Sequence, residues 1–397
     1  MILLIMIPVY ISLNLYILHR VHKWLTACSK RFHSRWFVVS YIVIYSLLAL
    51  SLLFAFLLPS SEIQVLVKRI SNYWLGTFAY ILLFIAVADI LRLILKRISG
   101  KIHDFFFSKV GYALVGILLT TLVGGISAYG IVHSNIVKVR PYEVTIQKNC
   151  GDNRDLKVVL VADLHLGYSV GNRQMQRMAK KINDQNADLV VFAGDIFDNE
   201  YEAVQNPDRI AKTLAGIKSR YGSFGVFGNH DVTERLLGGF SVASQDKEMR
   251  DPRFEEFAKK AEIRILDDEV MLIDDAFYLV GRKDAQKPGD GTTNRMEPEE
   301  ILSGLDKDKP IIVLEHQPKQ LEELETAGAD MQLCGHTHDG QMFPGNLTVK
   351  LMWENACGYL KKGNLHSIVT SGVGVWGPAM RVGTDCEICP ITIHFQG

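Results

Sequence analysis

Acidic residues are nearly missing from the first third of this chain. Residues 1–149 hold four Asp or Glu against 15 Lys or Arg, a net of 15 − 4 = +11. The whole chain has 43 of each, so residues 150–397 carry 39 acidic and 28 basic side chains, a net of −11. A C-terminal half with that excess is a poor electrostatic match to a phosphate backbone, which excludes nucleic acid as its partner. Cysteine is sparse, six in 397 residues, and Cys386-Glu387-Ile388-Cys389 is a single CxxC pair with no second pair to complete a structural zinc site. Two cysteines paired only by chance, or a disulfide if the domain is extracytoplasmic, are the readings that remain. Cys334 reads as a small buried hydrophobe. No internal repeat or low-complexity tract occurs, and 48% hydrophobic residues exclude a disordered chain.

What the first third does contain is apolar. Four runs, Ile2–Leu18, Trp36–Leu58, Trp74–Leu91 and Val110–Val132, predict four membrane-spanning helices, since about 20 apolar residues cross a hydrocarbon core of ~30 Å. The first run has no basic segment before it and no small-residue cleavage site, so it reads as an uncleaved span. Arg20, Lys23, Lys30, Arg31 and Arg35 follow span one, and Lys96, Arg97, Lys101 and Lys109 follow span three, whereas only Lys68 and Arg69 follow span two. Lys and Arg in short loops mark the cytoplasmic side. Loops one and three are therefore expected inside and the C-terminal domain outside the cytoplasm. Asp89 in span three is expected to pair with Arg92 one turn on, the alternative being an ion path through the spans. Trp36, Tyr73, Trp74 and Tyr112, with Phe105-Phe106-Phe107, are read as interfacial anchors.

From about Asn149 the pattern becomes that of βαβ units. Strands are predicted at Leu156–Ala162, Ala187–Ala193, Ser223–Phe227, Lys309–Leu314, Ala329–Leu333 and Ser367–Thr370, with a helix over Gln174–Asn183 and two or three antiparallel strands within Ile263–Val280. The domains are then a transmembrane region at 1–134, a linker at 135–154 and an α/β domain at 155–397. Polar clusters sit where the strands end: Asp163-Leu164-His165, Gly194-Asp195-Ile196-Phe197-Asp198, Gly228-Asn229-His230-Asp231, Glu315-His316 and Gly335-His336-Thr337-His338. The intervals Asp163 to Asp195 to Asn229, 32 and 34 residues, each match one βαβ unit. Ligands of α/β sheets bind beyond the carboxyl ends of the strands, so five clusters converge on one rim. Two aspartates, an asparagine amide and four histidines suit Mn, Fe, Zn, Ni or Co rather than calcium. They are too many for one tetrahedral zinc and suit two ions sharing a carboxylate.

The motifs DLHLG (163–167), GDIFD (194–198), GNHD (228–231), the lone His316 and GHTHDGQ (335–341) resemble the calcineurin-like metallophosphoesterase superfamily, in that order, over about residues 155–397. SGVGVWGPAMRVG (371–383) resembles the closing segment of its membrane-linked bacterial phosphodiesterase branch. The fold implied is a four-layer α/β domain, two β-sheets sandwiched between helices. The resemblance implies that Asp163, His165 and His338 hold one divalent metal and Asn229, His316 and His336 the other, with Asp195 between them. Mn, Fe or Zn are the metals implied. A metal-bound hydroxide would attack phosphorus in line, His230 would protonate the leaving oxygen or bind developing charge, and Asp231 would orient its ring. Asp198 is read either as support for the metal shell or as a helix N-cap. Glycines 194, 228 and 335 are read as tight turns beside the metals. Arg381 is read as a substrate-anion ligand or a structural ion-pair partner, and Trp376 as a packing residue.

The function expected is a membrane-anchored dinuclear phosphohydrolase, a phosphodiesterase in the first instance, in a bacterial inner membrane. Its substrate would be a phosphoester, lipid-linked or of the cell envelope. If the domain faces the cytoplasm, a UDP-2,3-diacylglucosamine pyrophosphatase-like role is the alternative. An inactive receptor or scaffold, and spans that conduct or sense under control of the hydrolase, are the readings from other classes. Loops Tyr201–Gly222, Leu236–Arg253 and Arg282–Glu299 are expected to wall the substrate pocket.

Overall fold

The computed structural model describes residues 2–59, 61–152, 154–237, 240–242, 249–292 and 294–397. It divides into two compact units, one comprising 1–131, 237–242 and 377–379, the other 132–236, 243–376 and 380–397. The first unit is built on long helices: α1 (Ile2–Cys28), α2 (Arg35–Leu57), α3 (Glu62–Leu95), the short α4 (Lys101–Phe107) and α5 (Lys109–His133). Among the described residues three of these, α2, α3 and α5, are long and apolar enough to cross a membrane. A fourth crossing, by the 27-residue α1, stays a proposal.

The apolar runs understated the helices. Arg20 and Lys23 lie on α1 itself, and Lys68 and Arg69 on α3, which starts 12 residues before the run beginning at Trp74. Trp74 is therefore not at a helix end; it is buried with Ile17, Ala49 and Phe78 where α1, α2 and α3 pack. Its indole N–H donates to the Tyr10 hydroxyl at 3.1 Å, and Tyr10 donates to the Ala49 carbonyl at 2.8 Å. Asp89 does not pair with Arg92. Its carboxylate takes hydrogen bonds from Tyr16 and Arg20 of α1, while Arg92 stacks over Phe107 and Tyr112, 5.0 and 5.3 Å from their ring centres. A long-range partner on a neighbouring helix outcompetes the local one because it reduces the exposure of both charges in an apolar layer.

Beyond α5 the chain continues with β1 (Val137–Val139), β2 (Tyr142–Ile146), β3 (Asp155–Val161), α6 (Asn172–Asn183), β4 (Leu189–Ala193), α7 (Pro207–Ala215), β5 (Ser223–Val226), β6 (Arg235–Leu237), β7 (Phe240–Val242), α8 (Pro252–Lys260), β8 (Ile263–Ile265), β9 (Glu269–Ile273), β10 (Phe277–Gly281), α9 (Pro298–Ile301), β11 (Ile311–Leu314), α10 (Leu321–Thr326), β12 (Met331–Cys334), α11 (Gly345–Thr348), β13 (Gly358–Lys362), β14 (Leu365–Val369) and β15 (Cys386–Phe395). One sheet has the order β1-β15-β3-β4-β5-β8, with β2 also on β15, and the other β13-β14-β12-β11-β10-β9. β6 and β7 pair with each other.

Strand alternation fixes how the sheets stack. Ile312 and Leu314 of β11 enter a core shared with Val158, Leu160, Leu189 and Val191 of the other sheet, whereas Ile311 and Val313 face Ile301, Leu321 and Leu324 of the helices behind. Successive side chains of a strand point to opposite faces, so one strand serves both layers. Three expectations change. Residues 135–154 are not merely a linker, since β1 and β2 pair in parallel with β15. Ile263–Ile265 pairs in parallel with β5 in the first sheet, so within 263–280 the antiparallel strands are two, β9 and β10. Cys386 and Cys389 lie on β15, three residues apart on a strand and hence on opposite faces, and all six cysteines are free.

Candidate metal centre and active site

In the first sheet β3, β4 and β5 run parallel, and in the second β10, β11, β12 and β14 do. Their carboxyl ends open on one rim, and main-chain bonds tie the loops there together. The His165 amide donates to the Asp195 carbonyl (3.0 Å), Asp163 to Gly194 (3.0 Å), and Gly335 to His316 (3.0 Å). Across the sheets, the His336 amide donates to both Asp163 oxygens at 3.0 and 3.1 Å.

This rim brings all seven expected ligand residues together. His165 and His338 face each other Nε2 to Nε2 at 3.0 Å, with Asp163 Oδ1 3.5 Å from His338 Nε2. In the second set, Asn229 Oδ1 is 2.9 Å from His336 Nδ1 and 3.1 Å from His316 Nε2, and the two ring nitrogens are 3.2 Å apart. One oxygen, Asp195 Oδ2, faces both sets, 3.5 Å from His165 Nε2 and 3.1 Å from His316 Nε2. Donors bound to one ion at ~2.0–2.2 Å, with angles near 90–110°, stand about 3.0–3.5 Å apart. The observed spacings are close to that value, so these carboxylate and imidazole groups could hold divalent metal.

The surroundings prepare these atoms. His316 Nδ1–H donates to the Ala193 carbonyl at 2.8 Å, so its lone pair is on Nε2, toward the site. Burial opposes charge on His316, but Asp195 and Asp163 outweigh it and raise its pKa to about 10. Burial and His316 lower His336 to about 3, and burial and Arg381 hold His338 well below the ordinary histidine value. Burial would raise Asp195, yet His316 and His230 keep it well below the carboxylate range. Burial lifts Asp163 to about 6, against the pull of His316. The backbone is strained at the same places. Asp163, His165, Asp195, His336 and His338 all have φ between 45° and 74°, a region non-glycine residues avoid and which clusters at functional sites.

Other expectations are corrected. Asp231 does not touch the His230 ring. Its buried carboxylate accepts from the amides of Gly228 (2.7 Å), Phe197 (2.8 Å) and Ile196 (3.2 Å), pinning two site loops. The ring is held by Asn199, a residue the motifs did not single out, whose Oδ1 lies 2.5 Å from His230 Nδ1. Its only sequence signal was a polar amide directly after GDIFD. Asp198 caps no helix; it lies 3.5 Å from His165 Nδ1 and 3.7 Å from His230 Nδ1. Arg381 makes no ion pair among the described residues. It is fully buried, donating to the carbonyls of His338 (2.7 Å), Ser371 (2.6 Å) and Gly374 (2.8 Å). Gly194 does turn through a positive φ of 81°. At Gly335, by contrast, close packing forbids a side chain, because a Cβ would stand 2.5 Å from Asp163 Oδ2.

Trp376 meets His230 edge-on, ring centres 5.9 Å apart, and Trp353, unremarked in the sequence, does the same to His336 at 5.1 Å. Of the loops expected to wall a pocket, 201–222 contains α7, packed on α6. Loop 282–299, of which Thr293 lies outside the described residues, sends Arg282 and Arg295 onto the buried Glu315 (3.0 and 2.8 Å), next in sequence to His316. Within 236–253, residues 238, 239 and 243–248 lie outside the described residues.

Residues 156–340 match the family model of the calcineurin-like phosphoesterases. The chain is 29% identical over 335 residues to a zebrafish (Danio rerio) transmembrane protein with metallophosphoesterase domain, covering 80% of this chain and 72% of that protein. To an uncharacterised metallophosphoesterase of Helicobacter pylori it is 30% identical over 240 residues, 59% of each. A UDP-2,3-diacylglucosamine pyrophosphatase of Chlamydia trachomatis is 22% identical over 256 residues, 55% of this chain and 75% of that enzyme. Residues 156–340 therefore carry a calcineurin-like phosphoesterase domain, two-sheeted and with a rim of carboxylate and imidazole donors, and the enzymes of that family are metal-dependent phosphoester hydrolases.

Proposed function

We propose that this protein is a membrane-anchored phosphohydrolase that uses two divalent metals, Mn, Fe or Zn, to cleave phosphodiesters, with a lipid-linked or envelope-borne phosphoester as its substrate. One observation carries the reading: a single oxygen of Asp195 faces two donor sets, each at the spacing of a shared cation. Asp163, His165 and His338 would hold one ion and Asn229, His316 and His336 the other. Metal bound there would supply a water of pKa lowered toward ~7 and positive charge for the oxygens at phosphorus. His230 supplies the proton side of the reaction. Burial lowers its pKa to about 4 and its Nδ1–H donates to Asn199, so the resting ring is neutral with a lone pair on Nε2; Nε2 would take the proton released by the attacking water and pass it to the leaving oxygen. Asp231 serves by holding the Gly228 and Phe197 amides, and so the loops of Asn229 and Asp195.

The test is hydrolysis of bis-p-nitrophenyl phosphate by the full chain in detergent, with Mn²⁺, with EDTA, and with Asp195→Asn. Metal-dependent turnover lost in the variant supports the reading; metal-independent turnover, or none with two ions bound, removes it. Likeness to the chlamydial pyrophosphatase favours a second reading, cleavage of a UDP-linked diacylglucosamine by a cytoplasmic domain. The basic loops instead support an extracytoplasmic domain if four helices cross, and a reporter fused at Gly397 separates the two.

A further inference from the structure

In the domain that follows the long helices, large exposed hydrophobic side chains are few, and half of them lie in one segment. Among the described residues from Val137 onward there are eight, and Phe343 (47%), Leu347 (55%), Leu351 (88%) and Met352 (77%) are four of them, including the two most exposed. The stretch Met342–Trp353 (MFPGNLTVKLMW) has one charged residue, the exposed Lys350, and no acidic one, within a half of the chain that is otherwise strongly acidic. Apolar side chains beside a cation suit the boundary between anionic headgroups and acyl chains.

The segment is built to hold this shape. The Phe343 amide donates to the Val382 carbonyl at 2.8 Å, Gly345 donates to Met342 at 2.6 Å, and Val349 is buried beneath the exposed residues. It also adjoins the metal centre, following the loop of His336 and His338 directly and ending at Trp353, whose ring meets His336. Only three residues separate α5, which is long and apolar enough to cross a membrane and ends at His133, from the first strand of the domain at Val137.

We propose that Met342–Trp353 is a lipid-contacting element that sets Leu347, Leu351 and Met352 into the headgroup–acyl boundary and presents the adjacent metal centre to phosphoesters at the membrane surface. The proposal rests on the phosphohydrolase reading for its purpose, but its geometry is tested independently of activity. The full chain carrying Cys28→Ser and Leu351→Cys is labelled with bimane in nanodiscs of phosphatidylcholine and phosphatidylglycerol, with Lys180→Cys, whose side chain is 76% exposed, as the reference. Cys28→Ser alone measures background labelling. Nitroxide lipids should quench the label at 351 about threefold more than that at 180, and aqueous iodide should quench it less. Equal behaviour at the two positions overturns the proposal. Shielding from iodide without lipid quenching also overturns it, and assigns the face to a protein partner.

A second arm reads activity. Leu347→Ser/Leu351→Ser should turn over a soluble diester within about twofold of the parent and a vesicle-borne lipid phosphodiester about tenfold more slowly. An equal rate on vesicles overturns the proposal. A parent inactive on both substrates overturns the hydrolase reading, while the quenching result stands by itself.

Discussion

Asn199 holds the His230 ring. Its Oδ1 takes the Nδ1–H at 2.5 Å while its own Nδ2 donates to the Val232 carbonyl at 3.0 Å, which fixes the amide and with it the tautomer of the histidine. Asn199→Ala should leave KM nearly unchanged and lower kcat by about 10²-fold, within the range for a misplaced general acid. The loss should shrink as the leaving group becomes more acidic and needs less protonation. An equal loss on nitrophenyl and alkyl esters would remove His230 from the leaving-group side.

Asp231 accepts three main-chain amides while fully buried. Asp231→Ala would orphan all three donors, at about 1–3 kcal/mol for each buried group. The thermal midpoint of the full chain should fall sharply, and less in Asp231→Asn, which keeps one acceptor. A midpoint unchanged in the alanine variant would contradict this placement.

Metal should stabilise as well as activate. An ion binding only the folded state contributes RT ln(1 + [L]/Kd), about 2.7 kcal/mol at a hundred times Kd. EDTA should therefore lower the thermal midpoint, Mn²⁺ should restore it, and Asp195→Asn should respond to neither. His316, with its pKa raised to about 10, must release its proton to ligate. Affinity should rise with pH across the neutral range, and calorimetry in buffers of different ionisation enthalpy would report the released proton.

Asp385 accepts from Lys138 (2.8 Å) and His133 (2.7 Å). Burial alone would raise its pKa, but these two bonds outweigh burial and hold it below the usual range. A carboxylate depressed in the folded state stabilises above its unfolded pKa of ~3.9, and that stabilisation is lost as pH falls through the folded value. Asp385→Asn should cost about 1 kcal/mol at neutral pH, screening by solvent at the half-exposed Lys138 included. The difference from the parent should close in acid, below pH ~4, and a gap that persisted there would exclude this linkage.

The metal donors were legible in sequence because strand, turn and ligand are local and ordered along the chain. Asp163, Asp195, Asn229, His316 and His336 each follow a short apolar strand by two or three residues, and His165 and His338 by four, and parallel pairing turns those small offsets into a shared rim. The apolar composition of the long helices was equally plain, because crossing lipid demands it of every residue face.

What the sequence left open depended on partners distant along the chain. Asp89 found Arg20, 69 residues away, rather than Arg92. Residues 137–146 looked like a linker because their pairing strand, β15, lies some 250 residues later. Asn199, Asp231 and Arg381 are polar residues whose jobs follow from which amide, carbonyl or ring stands opposite them, and no spacing rule reveals that. Local pattern determined which side chains could do the chemistry; only tertiary packing decided which groups hold them in place, since those hydrogen bonds exist only once the two sheets and their loops have met.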